Sequence, residues 1–376
     1  MRDYRVGLIG TGFMGRTHVL GFATAARAFE MPVRLRLAAV ADVTEAAAEA
    51  ARRSFGIERA TGDWRSLIDD PAIDVIDITA PNALHREMAL AAIGAGKHVY
   101  CEKPLAPTAA EAREMTEAAE AAGVVTQVGF NYVANPMLRL AREMIGGGEL
   151  GEILSYEGRH AEDYMSDPAA PWSFRHDPAG GGAMADLGSH ALATAEFLLG
   201  PIAELMGDAA TAIRERPAPG GPRAVEVDDA ARAFLRFESG VPGLVTASWV
   251  ATGRKMSHDF EVHGTKGGLY FTGERLNELQ FYSAGDAAGR RGFRTIVAGP
   301  EHPPYARFCP APGHQLGFND LKAIEIAGFA DALAGGPEPF GFRNGLRIQR
   351  LVEAVRDSSA ARGWVTTAPG EEGAMP

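Results

Sequence analysis

Arg5-Val6-Gly7-Leu8-Ile9-Gly10-Thr11-Gly12-Phe13-Met14-Gly15 joins a short apolar run to three glycines spaced G-x-G-x-x-G, and a helical pattern opens directly behind them. In a strand–turn–helix unit each glycine has its own duty. Gly10 lets the chain turn tightly, Gly12 keeps the backbone bare so that a pyrophosphate can approach, and Gly15 lets helix and strand pack closely. The N–H groups and positive dipole end of the helix then face the phosphates. The motif requires this context of a strand before it and a helix after it. The stretch therefore predicts a dinucleotide-binding domain, with Gly10, Thr11, Gly12, Phe13, Met14 and Gly15 as candidate cofactor contacts.

The alternation continues outward from this turn. Helical patterns over 16–28, 44–55, 83–95 and 108–122 are interleaved with short apolar runs at 35–41, 75–78, 97–100 and 124–128. Strands alternating with helices of this length predict a parallel sheet with crossover helices. Ligands of such sheets bind beyond the carboxyl ends of the strands, so the residues after each strand deserve inspection. Asp42 ends the second strand. An acid there either accepts hydrogen bonds from the adenosine ribose, which disfavours a 2′-phosphate, or caps the following helix. Val43-Thr44 follows with no basic residue, which favours NAD over NADP. The Glu30-Met31-Pro32 loop accounts for the extra distance between Gly15 and Asp42.

Length and composition bound the answer. The chain has 376 residues, 46% of them hydrophobic and 23% charged, with a formal net charge of −11. Such a length fits two domains, here 1–129 and 130–376. The negative balance and the lack of a Lys/Arg run argue against nucleic acid or a membrane surface as partner. Two cysteines, Cys101 and Cys309, exclude a disulfide framework and suit a reducing cytoplasm. The first strand begins at once, which leaves no room for a signal peptide, and no apolar stretch approaches the length of a membrane span. His258, His263 and His302 show no ligand spacing with carboxylates, so no metal is expected.

Glu102-Lys103-Pro104 follows a strand of the parallel sheet. With the glycine turn before it, and Thr79-x-Pro81-Asn82-x-x-His85 between, the chain resembles the Gfo/Idh/MocA oxidoreductase family, which includes glucose–fructose oxidoreductase and inositol dehydrogenases. The resemblance continues through Phe130-Asn131-Tyr132, the segment Gly180-Gly181-Gly182-Ala183-Met184-Ala185-Asp186-Leu187-Gly188-Ser189-His190, and His263-Gly264-Thr265-Lys266-Gly267. The family usually places a basic residue after the Asn-Tyr pair, where this chain has Val133. The resemblance implies that Thr79, Pro81, Asn82, His85, Glu102 and Lys103 join the glycine turn and Asp42 in binding the cofactor. It also implies that Lys103, Asp186 and His190 are catalytic.

The residues themselves admit that chemistry. A lysine at a strand's carboxyl end can hydrogen-bond a hydroxyl that becomes a carbonyl and stabilise the developing charge, although most lysines are simply exposed. Glu102 either binds ribose hydroxyls or holds Lys103. Asp186 and His190 are four apart, which on a helix sets both on one face. A carboxylate beside an imidazole suits a general base near neutral pH, and also suits a purely structural pair.

From Phe130 the pattern changes to strands at 153–160, 227–237, 241–250, 259–263, 269–272 and 279–282, joined by glycine-containing turns. Successive strands without helices between them predict a large, mostly antiparallel sheet. The family implies that its helix-free face is used between subunits, and Ala233, Leu235, Val245 and Ser248 are expected on that face, giving a homodimer or homotetramer. Residues 217–222 read as a loop and 370–376 as a frayed tail. Asn131, His160, Tyr164, Arg175 and His314, with Lys103, Asp186 and His190, are the candidate substrate contacts. The tail from Pro300 through Phe318-Asn319-Asp320-Leu321-Lys322 looks most like the inositol-dehydrogenase branch. These features together suggest a cytoplasmic NAD-dependent dehydrogenase of a secondary hydroxyl on a sugar, inositol or polyol. The alternatives are an NADPH-dependent reductase of a keto-sugar or imine, and a non-catalytic NAD-binding regulator.

Overall fold

A computed structural model describes residues 1–367; the tail at 370–376 lies outside the described residues. The chain forms two compact units. One comprises Met1–Ala134 with Gly317–Leu346, and the other comprises Asn135–Leu316 with the described residues from Arg347 to Thr367. The division differs from a single cut at 129/130, because a helix near the C-terminus belongs to the first unit.

In the first unit, strands β1 (Asp3–Ile9), β2 (Arg34–Ala41), β3 (Arg59–Thr61), β4 (Val75–Ile78), β5 (His98–Cys101) and β6 (Thr126–Val128) alternate with helices α1 (Phe13–Ala28), α2 (Glu45–Phe55), α3 (Arg65–Asp69), α4 (His85–Gly94) and α5 (Ala109–Ala122). The six strands lie in the order β3-β2-β1-β4-β5-β6 and every pair is parallel. This is the doubly wound arrangement, whose switch point falls between β1 and β4. Val6, Leu8, Val40, Val75 and Ile76 are wholly buried, as expected for strands covered on both faces. Thr44 caps α2 by accepting the Ala47 amide, and Thr108 caps α5 by accepting that of Glu111. β3 carries no apolar run and was not legible as a strand.

The second unit begins with α6 (Pro136–Gly146) and β7 (Ile153–Ala161). It continues through α7 (Ser189–Leu199), β8 (Ile202–Ala210), β9 (Glu215–Ala218), β10 (Gly221–Ala224), β11 (Ala230–Phe237), β12 (Pro242–Ser248), β13 (Ser257–Gly264), β14 (Gly267–Thr272), β15 (Glu278–Ser283) and β16 (Arg294–Val297). Then come α8 (Phe318–Leu333), which belongs to the first unit, α9 (Phe342–Ala361) and β17 (Val365–Thr366). Nine strands form one sheet in the order β16-β15-β14-β13-β7-β12-β11-β8-β17, antiparallel except for β12 and β7. Helix α7 packs on β7, β12 and β13.

Two expectations need correction here. Residues 217–222 are not a loop: β9 and β10 make an antiparallel ribbon in which Pro217 faces Pro222. Ala233, Leu235 and Val245 are on the inner face and essentially buried within this chain. The helix-free face instead carries Arg232, Phe234 and Arg236 of β11. Phe234 is 52% exposed and pairs with Met206 on one side and Leu244 on the other. Side chains alternate along a strand, so an error of one residue exchanges the faces.

Around the first turn, steric limits leave little freedom. Gly10 has φ of +98°, and a Cβ there would lie 2.9 Å from the Thr79 backbone. A Cβ on Gly15 would overlap the Gly10 carbonyl oxygen. Gly15→Ala should therefore cost about 1–3 kcal/mol of stability, as overpacking against backbone does. Urea denaturation of the full chain checks this, and an unchanged midpoint contradicts it.

Candidate functional site

The carboxyl edge of the parallel sheet collects the first group of candidates. Gly12 precedes α1, whose N-terminus has no side-chain cap. A Cβ built on Gly12 meets no atom within 4 Å, so the backbone there opens outward. The Thr79 hydroxyl donates to the Gly10 carbonyl at 2.8 Å and so braces the turn from β4. Asp42 is tied to the same turn: Oδ2 accepts the Thr11 amide at 3.0 Å and the Thr11 hydroxyl, and Oδ1 accepts the Val43 amide at 2.6 Å. Asn131, on the turn after β6, is 2% exposed, and its Nδ2 has no hydrogen-bond partner within the protein. An uncapped helix end, a bare glycine and a buried amide donor without a partner fit a bound dinucleotide.

Two candidates serve this edge from inside. His85 is fully buried, and its ring nitrogens lie 3.0 Å from the Pro104 carbonyl and 2.8 Å from that of Ala80. It joins two loops and presents no surface to a ligand. Glu102 is 4% exposed. Its Oε1 accepts from His18 Nε2 at 2.8 Å and Lys322 Nζ at 2.9 Å, and its Oε2 accepts the Lys103 amide at 3.2 Å. Glu102 thus holds the backbone amide of Lys103.

Sequence reasoning missed the partners of Glu102. His18 on α1 also lies 2.9 Å from Asp77, and Lys322 on α8 donates to Glu325 at 2.6 Å and to the Tyr100 hydroxyl at 3.1 Å. A faint signal existed, since Lys322 and Glu325 are charges three apart within the otherwise apolar 321–330 stretch. Burial opposes charge on His18, Glu102 and Lys322, but the opposite charges outweigh it, whereas on Glu325 burial wins and pushes the carboxyl up. The Asp77 and Glu102 carboxylates raise His18 above its ordinary value, Lys322 and His18 hold Glu102 far below the carboxylate range, and Lys322 is pushed up to about 12 by Glu102 and Glu325.

In the second unit, Asp186 and His190 straddle a change of helix type. Met184–Gly188 forms a π-turn and α7 begins at Ser189. Gly181 and Gly182 have φ of +88° and +72°, so the glycines provide left-handed backbone. The turn is also capped: Asp228 Oδ2 accepts the Met184 amide at 2.7 Å, and the Arg356 guanidinium donates to the Gly181 carbonyl. Tyr164 donates to Asp186 Oδ2 at 2.6 Å, and Arg175 Nε lies 3.3 Å from the same oxygen. Burial, then the Asp186 charge, pushes the Tyr164 phenol up, so it remains a donor.

The 162–176 segment that carries Tyr164 and Arg175 is braced from behind. The fully buried Arg216 of β9 donates to the carbonyls of Met165 and Asp167, and the Trp172 amide donates to the Pro217 carbonyl at 2.8 Å. Trp249, fixed to Asp229 by a 2.6 Å bond, packs edge-on against Tyr164. His160 is 1% exposed, so it backs the site; its ring centroid lies 5.5 Å from that of His190 and 4.8 Å from that of His258. His314 is exposed and is held through its carbonyl by the Tyr305 hydroxyl. Among the described residues, no group of three or more His, Cys, Asp or Glu side chains is disposed to hold a metal ion, and no helix is long and apolar enough to cross a membrane.

The histidines give opposite titrations. His18 should titrate above its ordinary value near 6.5, while burial should hold His85 and His258 neutral and below it. A group with a raised folded pKa contributes stability that is complete below the unfolded pKa and is lost as pH rises through the folded one. For Glu102 the sign reverses, and its contribution is lost on acidification. Side-chain NMR of the imidazoles checks the order, and a His18 midpoint below that of His85 contradicts it.

Residues 4–130 match the family described as "Oxidoreductase family, NAD-binding Rossmann fold", and residues 138–270 match the "GFO/IDH/MocA C-terminal domain". A levoglucosan dehydrogenase of Pseudarthrobacter phenanthrenivorans is 41% identical over 97% of this chain and 98% of its own. A scyllo-inositol 2-dehydrogenase (NAD(+)) of Bacillus subtilis is 26% identical over 92% and 96%. Among solved structures, a levoglucosan dehydrogenase in complex with NADH and L-sorbose superposes with a TM-score of 0.96 at 40% identity, covering 98% of this chain and 100% of that one. With both halves matched and a relative of that similarity along its whole length, this chain belongs to the Gfo/Idh/MocA family and is an NAD-binding oxidoreductase.

Proposed function

We propose that this protein oxidises a secondary hydroxyl of a sugar with NAD, and that a pyranose of the levoglucosan kind is a better substrate than an inositol. The observation that carries the reading is the family match over both halves of the chain, which takes in Lys103 on the Glu102 turn of the first unit and, in the second, the braced Asp186–His190 segment. The 41% identity with the levoglucosan dehydrogenase, against 26% with the inositol enzyme, supports the choice of sugar. Bound NAD supplies the hydride acceptor. Gly10–Gly15 and the α1 N-terminus would hold its phosphates, Asp42 its ribose, and the Asn131 amide a carbonyl-type oxygen. Thr79, with Pro81 and Asn82, shapes the floor of that cradle.

Lys103 donates a hydrogen bond to the reacting oxygen and stabilises charge that develops on it. His190 accepts the hydroxyl proton. Asp186, four residues earlier, carries the negative charge that favours the protonated imidazole formed in that step. Tyr164 and Arg175 hold the Asp186 carboxylate in one orientation and offer donors to the sugar.

His190→Ala and Lys103→Ala should each lower kcat by about a hundredfold or more, the lower part of the range for positioned acid–base groups. NAD affinity should change little. Turnover of levoglucosan, glucose and myo-inositol, followed by NADH absorbance, tests both residues and the substrate order. Near-normal turnover by His190→Ala sinks the base assignment, and preference for myo-inositol sinks the choice of sugar.

The reading extends to assembly and place. The two cysteines are unbridged, which suits the cytoplasm. A sheet face carrying Phe234, Met206 and Leu244 is best covered by a second copy, which supports a homodimer or homotetramer. Phe234→Glu should shift the assembly toward monomer in sedimentation at micromolar concentration. A parent protein that sediments as a monomer refutes this part.

A further inference from the structure

Beneath the Glu102–Lys103 turn, the first unit buries six ionisable side chains: His18, Asp77, Tyr100, Glu102, Lys322 and Glu325. None is more than 7% exposed. Their donors are matched one to one. Lys322 places its three N–H groups on Glu102 Oε1, Glu325 Oε2 and the Tyr100 hydroxyl, and His18 places its two on Asp77 and Glu102. The backbone is cut away to admit them. A Cβ on Gly129 would overlap the Glu102 carboxylate, and a Cβ on Gly21 would lie 2.9 Å from Lys322 Cγ.

Such a cluster is an expensive way to fill a core, since apolar side chains of similar volume are often at least as stable there. One bond leads out of it: Glu102 Oε2 accepts the Lys103 amide at 3.2 Å. The carbonyl of the following residue, Pro104, lies 3.0 Å from His85 Nδ1. The Lys103 backbone is therefore gripped on both sides, and one grip depends on the orientation of a buried carboxylate. Removing Lys322 would take away one of the two cationic groups that Glu102 meets.

We propose that Lys322, contributed by α8 some 220 residues after Glu102 in the chain, is a positioning residue for the reaction, holding Glu102 ionised and fixed so that Lys103 is presented in one geometry. His18 shares this task from α1. The inference rests on the reading of Lys103 as the group that meets the reacting oxygen.

The test uses the full-length enzyme with NAD and its best sugar. The variants are Lys322→Met, the charge-neutral pair Lys322→Met/Glu325→Leu, Glu102→Gln alone and combined with Lys322→Met, and Lys103→Met as reference. The readouts are kcat, KM, calorimetric NAD affinity and the thermal midpoint. The charge-neutral pair should melt no lower than the parent yet lose about tenfold or more in kcat, with KM and NAD affinity moving by less than about threefold. Adding Glu102→Gln to Lys322→Met should cost little further, because both act through one carboxylate. An inactive Lys103→Met beside a charge-neutral pair with parental kcat overturns the proposal alone, and so does a pair that fails to fold. An active Lys103→Met overturns the reading of Lys103 and this proposal with it.

Discussion

A buried carboxylate between two buried cations organises the ligand-facing edge of the first unit. Glu102 is stable as an anion away from water only because His18 and Lys322 meet it at 2.8 and 2.9 Å. Desolvating any one of these charges alone would be prohibitive, and together they form a closed set in which every cationic donor has an acceptor. The consequences spread along three elements. α1 must come close enough to bring His18 to β4, α8 must pack on α1 across Gly21, and the chain after β6 must pass Glu102 as glycine. The last part of the sequence thus helps to complete the part that binds the dinucleotide.

The second unit solves a different problem by the same economy. The Met184–His190 segment, proposed to be reactive, is short and lies at a junction between π and α geometry, where the backbone is not self-supporting. Support comes from elsewhere: Asp228 caps the turn, Arg356 holds the Gly181 carbonyl, and Tyr164 and Arg175 converge on Asp186. Behind Tyr164 stands Trp249, itself fixed by Asp229, and behind the whole 162–176 segment stands the proline-bearing ribbon with Arg216. Groups that must hold a geometry while charge moves are given partners whose own positions are already settled.

Relatedness sets the class of reaction. The family match covers both halves of the chain, and the three residues proposed for the chemistry are a lysine on a braced turn, a histidine backed by another imidazole and a carboxylate held by donors.

Much of this was already decided by the sequence. The parallel sheet, its order of strands and helices and its glycine turn follow from local rules. Apolar runs bounded by turns, capping threonines and a G-x-G-x-x-G in strand–turn–helix context act over a dozen residues, and each is readable by itself. The segments that carry Lys103, Asp186 and His190 stand out as short motifs in a fixed order, and the roles proposed for these three residues come from the family resemblance. Only the tertiary structure decided the rest. Which face of β11 is inward depends on a register that one residue inverts, so Phe234 and Leu235 exchange roles. The ribbon at 215–224 looks like a loop because prolines and glycines crowd its sequence, and in the fold Pro217 faces Pro222 across it. The partners of Asp186 come from a segment 11 to 22 residues away. The partners of Glu102 lie 84 residues before it and 220 after it. A charge buried in a core announces itself only when its counter-charge is known, and that counter-charge is set by packing at a distance to which local pattern is blind.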